Sequence, residues 1–262
     1  VIVNEWSFFL LTSLLDSGLI GATEPRWRES TLIASDLTIR RGDLQLCSQV
    51  GFSLSSGQIL HIRGQNGIGK TTLLMMLAGL LPTSETHQDK KLLVWADATA
   101  ADWPVLYIGH LAGLNSGLTV GENLEFLQGI NAGSDEGLSA ALDRVGLSGY
   151  EDVAVSRLSS GQKRRVSLAR LWLSNDPDTL WLLDEPFNAL DAAMTMRLCQ
   201  RLALHAELGG RVILTSHQPF MLSVHTLDLE LFAIAKDEEI GEFETVDREN
   251  SFSERALCEN QA

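Results

Sequence analysis

Apolar and polar positions change rhythm several times along the chain. From Leu32 they form short runs, LIASDLTIR, LQLCSQVGFSL and QILHIRG, separated by Arg41-Gly42-Asp43 and Ser55-Ser56-Gly57. Such runs with polar punctuation predict strands joined by tight turns, here a small antiparallel sheet feeding the strand Ile59 to Ile62. Leu73 to Leu81 is apolar almost all round and predicts a buried helix ended by Gly79 and Pro82. Thr83 to Lys91 is polar and loop-like, while Leu92 to Trp95 and Val105 to Ile108 read as strands.

After Gly109-His110 the pattern turns helical: Val120 to Gln128, Leu138 to Val145, then Gly161 to Leu173. The section from about Leu111 to Asn175 carries no strand signal and reads as a helical insertion. Strand character returns at Thr179 to Leu183, followed by a helix from about Ala192 to Leu208 and a strand Arg211 to Thr215. Strands alternating with helices predict a mostly parallel sheet covered on both faces, an α/β core.

Composition adds limits. A chain of 262 residues suits one large domain with an inserted subdomain. Its formal net charge of −14 repels phosphate backbones and argues against a nucleic-acid partner. Cys47, Cys199 and Cys258 lie far apart, with no metal-binding spacing, and read as reduced thiols, Cys199 as a core residue. No uncharged apolar run reaches the length of a membrane-spanning helix. The nearest, Trp6 to Ala22, is broken by Asp16 and lacks a basic start, so residues 1–31 read as an extension upstream of the domain. From about residue 235 the chain is acidic and weakly patterned and reads as a solvated tail.

The chemistry centres on Gly64-Gln65-Asn66-Gly67-Ile68-Gly69-Lys70-Thr71-Thr72, which fits G-x-x-x-x-G-K-[ST] between a predicted strand and a predicted helix. Glycines at Gly64, Gly67 and Gly69 let backbone N–H groups converge on phosphate oxygens, and the following helix N-terminus adds partial positive charge. Lys70 can reach the outer phosphates, and the Thr71 hydroxyl can ligate Mg²⁺. Downstream, the apolar strand through Leu183 ends in Asp184-Glu185. A phosphate-loop NTPase needs a carboxylate at such a strand end to hold Mg²⁺ through its water shell, which makes Asp184 the metal-side acid. Glu185, one residue on, is placed to act as general base on an attacking water.

Leu158-Ser159-Ser160-Gly161-Gln162 precedes a basic helix, and Ser159 or Ser160 is a sensible cap for it. Lying between the phosphate loop and the Asp184-Glu185 strand, it resembles the signature motif of ABC-type ATPases. Asn188-Ala189-Leu190-Asp191 and Ser216-His217 follow in the order that family requires. The runs LSSGQKRRVSLARLWLSNDPDTLWLLDEPFNALD, YIGHLAGLNSGLTVGENLEF and GGRVILTSHQP are similar to the ATP-binding subunits of the cytochrome c maturation haem exporter, the CcmA type. The similarity covers about Leu32 to Ile234. It implies a P-loop NTPase core of ABC type with an N-terminal antiparallel β subdomain and an inserted α-helical subdomain.

The resemblance further implies a head-to-tail dimer of two copies with two ATP molecules sandwiched. Each would lie between residues 64–72 of one copy and Ser159, Ser160, Gly161 and Gln162 of the other. His217 would be the switch histidine contacting the γ-phosphate and orienting Glu185, and Asp191 would lie at the dimer seam. Two departures stand out. The region that usually offers an aromatic residue to the adenine has Arg41, which could stack through its guanidinium plane. The lid loop after the strand Val105 to Ile108, where most relatives carry Gln, has His110, a candidate metal contact or neutral hydrogen bonder. The expected partners are a CcmB-like membrane subunit and associated maturation proteins, met through coupling helices near His110 to Phe126. The expected place is the cytoplasmic face of the inner membrane, held there only through the partner. Haem export and ATP-driven release of the haem chaperone both remain open as the step performed. The alternatives are an ABC subunit with another cargo and a soluble ABC ATPase.

Overall fold

The computed structural model describes residues 31–81, 93–95, 104–130, 137–174 and 176–234. The extension before Thr31, the polar stretch after Leu81 and the acidic tail lie outside the described residues.

Strands β1 (Thr31–Arg41) and β2 (Leu44–Ser55) pair antiparallel, from Thr31 opposite Ser55 to Arg41 opposite Leu44. Gly42, with φ 59, supplies the left-handed turn residue between them. The strand β4 (Leu93–Trp95) pairs antiparallel with the far side of β1, giving the order β2-β1-β4.

The second sheet has the order β5-β6-β7-β3-β8 and all its pairings are parallel. Its strands are β3 (Ile59–Arg63), β5 (Val105–Ile108), β6 (Leu180–Leu183), β7 (Arg211–Thr215) and β8 (His225–Asp228). Every residue of β6 and β7 is buried, which explains why these strands read as unbroken apolar runs.

Alternation is still present beneath that uniformity, because successive side chains join different cores. Trp181 and Leu183 join Val212 and Leu214 against helices α2 (Val120–Ile130), α3 (Leu138–Arg144), α4 (Ser160–Leu173) and α5 (Ala192–Glu207). Leu180, Leu182 and Ile213 face α1 (Lys70–Leu77) and the inner side of β1 and β2. The parallel sheet is therefore the middle layer, with the antiparallel sheet and α1 on one side and the remaining helices on the other. Cys199 is 7% exposed in the helical-side core, where the sequence places it.

Three features differ from the sequence pattern. Helix α1 starts at Lys70, three residues before the apolar run, because the phosphate-loop turn delivers the chain directly into helix at Gly69 (φ 112). The strand Leu93–Trp95 extends the antiparallel sheet and takes no part in the parallel one. The edge strand β8 has no counterpart among the predicted elements: only Leu227 of its residues is buried, so no apolar rhythm marks it. Its pairing is set by the backbone of β3, with Leu60 opposite His225 and Arg63 opposite Asp228.

Candidate functional site

The phosphate loop joins the C-terminal end of β3 to α1, and it is supported from behind. A Cβ added to Gly69 would stand 2.7 Å from Ile39 Cγ2 and 3.4 Å from a Leu46 methyl, so the antiparallel sheet rests on the loop at this point and only glycine fits. Arg41 lies two residues beyond Ile39, exposed at the last position of β1. On the other side Gln65, Asn66 and Gly67 are exposed, and Thr72 is half-buried on the first turn of α1. Lys70 is buried and its ammonium donates to the loop's own carbonyls, Gly64 O at 2.6 Å and Gln65 O at 3.0 Å. Burial pulls the Lys70 pKa down, while the carboxylates of Glu185, Asp184 and Glu230 oppose the shift.

A continuous hydrogen-bonded path crosses from the loop to the neighbouring strand ends. Thr71 Oγ1 donates to Asp184 Oδ2 at 2.8 Å, and Thr215 Oγ1 donates to Asp184 Oδ1 at 2.7 Å. The same Thr215 oxygen accepts the N–H of Glu185 at 2.9 Å. Glu185 Oε2 in turn accepts the His217 backbone N–H at 3.0 Å. Glu185 Oε1 lies 3.5 Å from His217 Nε2 yet, although it is buried, has no hydrogen-bond donor among the described residues. A buried carboxylate oxygen without a donor leaves its lone pairs open to an incoming O–H group.

The oxygen pair Thr71 and Asp184 fits Mg²⁺, which takes hard oxygen ligands and completes its shell with water and substrate phosphates. His110 is exposed just past β5 and shares no hydrogen bond with another described residue. Its imidazole is a poorer match for Mg²⁺ than those oxygens.

The structure thus brings Gly64, Gly67, Gly69, Lys70, Thr71, Asp184, Glu185 and His217 to one end of the parallel sheet. It keeps the segment Ser159 to Gln162 apart: no hydrogen bond joins it to residues 64–72 among the described residues. Ser159 caps α4 by a reciprocal box, its Oγ accepting the Gln162 N–H at 3.2 Å while Gln162 Oε1 accepts the Ser159 N–H at 2.9 Å. Ser159 and Ser160 are both exposed, whereas Gly161 lies close to the Ala189 carbonyl. Asp191 caps α5, with Oδ1 accepting the Met194 N–H at 2.8 Å, and pairs with Arg165 of α4. The Met194 amide, with Arg165, holds the Asp191 carboxyl below the usual carboxylate range.

Several participants escaped the sequence pattern. Thr215 ends β7 immediately before Ser216-His217, so its position at a strand end was the available signal. His61 of β3 bonds through Nε2 to Ser216 O at 3.2 Å and meets Phe220 edge-on at 5.1 Å. Glu230 lies far along the chain, and its Oε1 accepts the Gln65 N–H at 3.0 Å; no local pattern announces it. A cleft of about 840 Å³ opens beside these groups, lined among others by His61, Arg63, Gln65, Lys70, His217 and Glu230.

Comparison with known proteins agrees with this geometry. The ABC transporter family matches residues 47–188. The cytochrome c biogenesis ATP-binding export protein CcmA of Tatumella citrea is 45% identical over 188 residues, covering 71% of this chain and 88% of that protein. CcmA of Escherichia coli (strain K12) is 43% identical over 194 residues, covering 72% and 89%. Among solved structures, a putative ABC transporter ATP-binding protein from Pyrococcus furiosus superposes with a TM-score of 0.64 at 19% identity, over 78% of this chain and 100% of that one. The ATP-binding subunit of another ABC transporter gives a TM-score of 0.61 at 23% identity, over 71% and 79%; these two likenesses concern the fold alone. With the loop, the carboxylate pair and the α4 segment in this order, the chain belongs to the ABC transporter family and, within it, to the CcmA-type ATP-binding proteins of cytochrome c biogenesis.

Proposed function

We propose that this chain is the ATP-hydrolysing subunit of a membrane complex serving c-type cytochrome biogenesis, working as an ATP-sandwich dimer of two copies. The observation that carries the catalytic part is the path Thr71–Asp184–Thr215–Glu185–His217, ending in the open oxygen Glu185 Oε1. Lys70, now bonded to loop carbonyls, turns to the outer phosphates of ATP, and the loop N–H groups receive the remaining phosphate oxygens. Thr71 and Asp184 would hold Mg²⁺, which when bound would neutralise charge on the phosphoryl oxygens. Glu185 Oε1 accepts a proton from the attacking water, and His217 braces Glu185 and faces the γ-phosphate.

Ser159, Ser160, Gly161 and Gln162 share no hydrogen bond with their own phosphate loop among the described residues; Ser159 and Ser160 are exposed and Gly161 and Gln162 half-buried at the start of α4, where they suit the ATP held by a second copy. Closure on a γ-phosphate lasts only while that phosphate is present, so hydrolysis releases the clamp. Asp191 lies at the seam, and Arg41 covers the adenine through its guanidinium plane. No helix among the described residues is long and apolar enough to cross a membrane. The likeness to CcmA proteins supports a CcmB-like subunit as the membrane part, with the chain peripheral on the cytoplasmic face. Leu111, 83% exposed, and Phe126, 66% exposed, support a contact with that subunit beside His110.

The test is a pair of variants in the full chain. Glu185→Gln is expected to bind ATP, accumulate as closed dimer and lose about a hundredfold or more in turnover, as removal of a preorganised group at a reacting centre does. Lys70→Ala is expected to lose nucleotide affinity first. Turnover by Glu185→Gln at the wild-type rate would falsify the general-base role.

A further inference from the structure

Arg164 belongs to the helix that carries the signature segment, yet its side chain is directed to the opposite business of the protomer. It lies one turn into α4, is 7% exposed and donates to three carbonyls on two different strands' ends. Nη1 donates to Gly109 O at 2.7 Å, while Nη2 donates to Asp184 O at 2.7 Å and to Glu185 O at 2.9 Å. One guanidinium thus ties the helix to the residue before His110 and to the backbone of both carboxylates. Burial draws the Arg164 pKa down while the charges of Asp184 and Glu185 oppose the shift, so the group is set deep among its partners.

The backbone it grips is unusual. Glu185 has φ 49, in the left-handed region that a residue with a Cβ avoids unless its surroundings impose it. Thr215 Oγ1 holds the Glu185 N–H at 2.9 Å, and on the other side the Glu185 carbonyl accepts from Arg164 and from Asn188 N–H at 3.2 Å. Of these holders, only Arg164 comes from the helix whose first turn contains Ser159 to Gln162. A tilt or shift of that helix end has to be felt at the guanidinium, because the helix between them is a single hydrogen-bonded turn.

We propose that Arg164 is a positioning residue through which the two ATP sites of the dimer communicate. The signature end of α4, engaged by the ATP on the partner's loop, sets through Arg164 the backbone of Glu185 in the protomer's own site. This rests on the ATP-sandwich dimer proposed above. The Gly109 bond gives the same guanidinium a second input, from the loop that holds His110. Binding at one site then raises the competence of the other, and turnover is cooperative in ATP.

The experiment measures ATPase rate against ATP concentration for the wild-type chain, Arg164→Met and Arg164→Lys, with nucleotide affinity measured separately by equilibrium binding. Met removes all the donors at similar length. Lys keeps the charge but cannot bridge both strand ends. Wild type is expected to show a Hill coefficient above unity. Both variants should fall to unity and lose roughly tenfold or more in kcat, within the usual span of coupling between sites, while nucleotide affinity stays within about threefold. If Arg164→Met does not fold, Arg164→Lys decides. Wild-type cooperativity in a folded variant overturns the proposal, as does a parallel loss of affinity and kcat, which would mark a general loosening. Failure of Glu185→Gln to dimerise with ATP overturns the dimer itself; an intact dimer with unchanged cooperativity in Arg164→Lys removes only the role of Arg164.

Discussion

His205 lies far from the phosphate loop, stacked on Trp181 with ring centroids 3.7 Å apart and its Nε2 3.0 Å from Thr179 O. Gly210 packs against its ring so closely that no Cβ fits there. Burial, with the nearby positive charge of Arg201, drives the His205 pKa down to about 3. The unfolded chain, with an ordinary histidine, binds a proton that the folded chain refuses between those two values. Stability from this residue is therefore intact above about pH 6.5 and declines as the pH falls toward about 3, by at most roughly 1.4 kcal/mol per pH unit. Thermal melts across that window should show the decline, and His205→Phe should flatten it; an equal slope in the variant would remove His205 as its source. At this scale the sequence was most legible where chemistry follows local spacing: Lys70 and Thr71 in one loop, Asp184 and Glu185 at one strand end. Thr215, Glu230 and Arg164 were not legible, because what they do depends on partners brought close by the sheet, such as Gln65 for Glu230.

Helix α4 shows how an element serves two ends. Its capping box is a local device, readable from Ser159 and Gln162, and it satisfies backbone donors that the helix start would otherwise leave open. Ser159→Ala is expected to cost about 1 kcal/mol of unfolding free energy when measured without nucleotide, where a signature role contributes nothing. An unchanged denaturation midpoint would mean that solvent replaces the cap. The strands β1, β2, β3, β6 and β7 were legible because each combines apolar residues with turn punctuation. Strand β8 was not, since an edge strand with one buried residue is held by main-chain pairing and leaves almost no trace in side-chain order.

Over the whole molecule, charge becomes the dominant long-range term. In the proposed dimer, two copies with a formal charge of −14 each would approach closely, so their mutual repulsion would oppose the clamp. Dimerisation of Glu185→Gln with ATP should tighten several-fold when salt rises from about 20 mM to about 300 mM, because screening removes that repulsion over such distances. Sedimentation velocity would read this out, and weakening with salt would show that local ion pairs at the seam dominate. The α/β architecture was legible at this scale from alternating strands and helices, but the placing of the antiparallel sheet against the phosphate loop was not. That placing bears on the proposed route of the nucleotide. With Ile39 and Leu46 packed close behind Gly69, the loop has side chains at its back. In the proposed sandwich dimer, spent nucleotide would leave by the mouth that the second copy covers, which would make parting of the two copies the gate for product exchange.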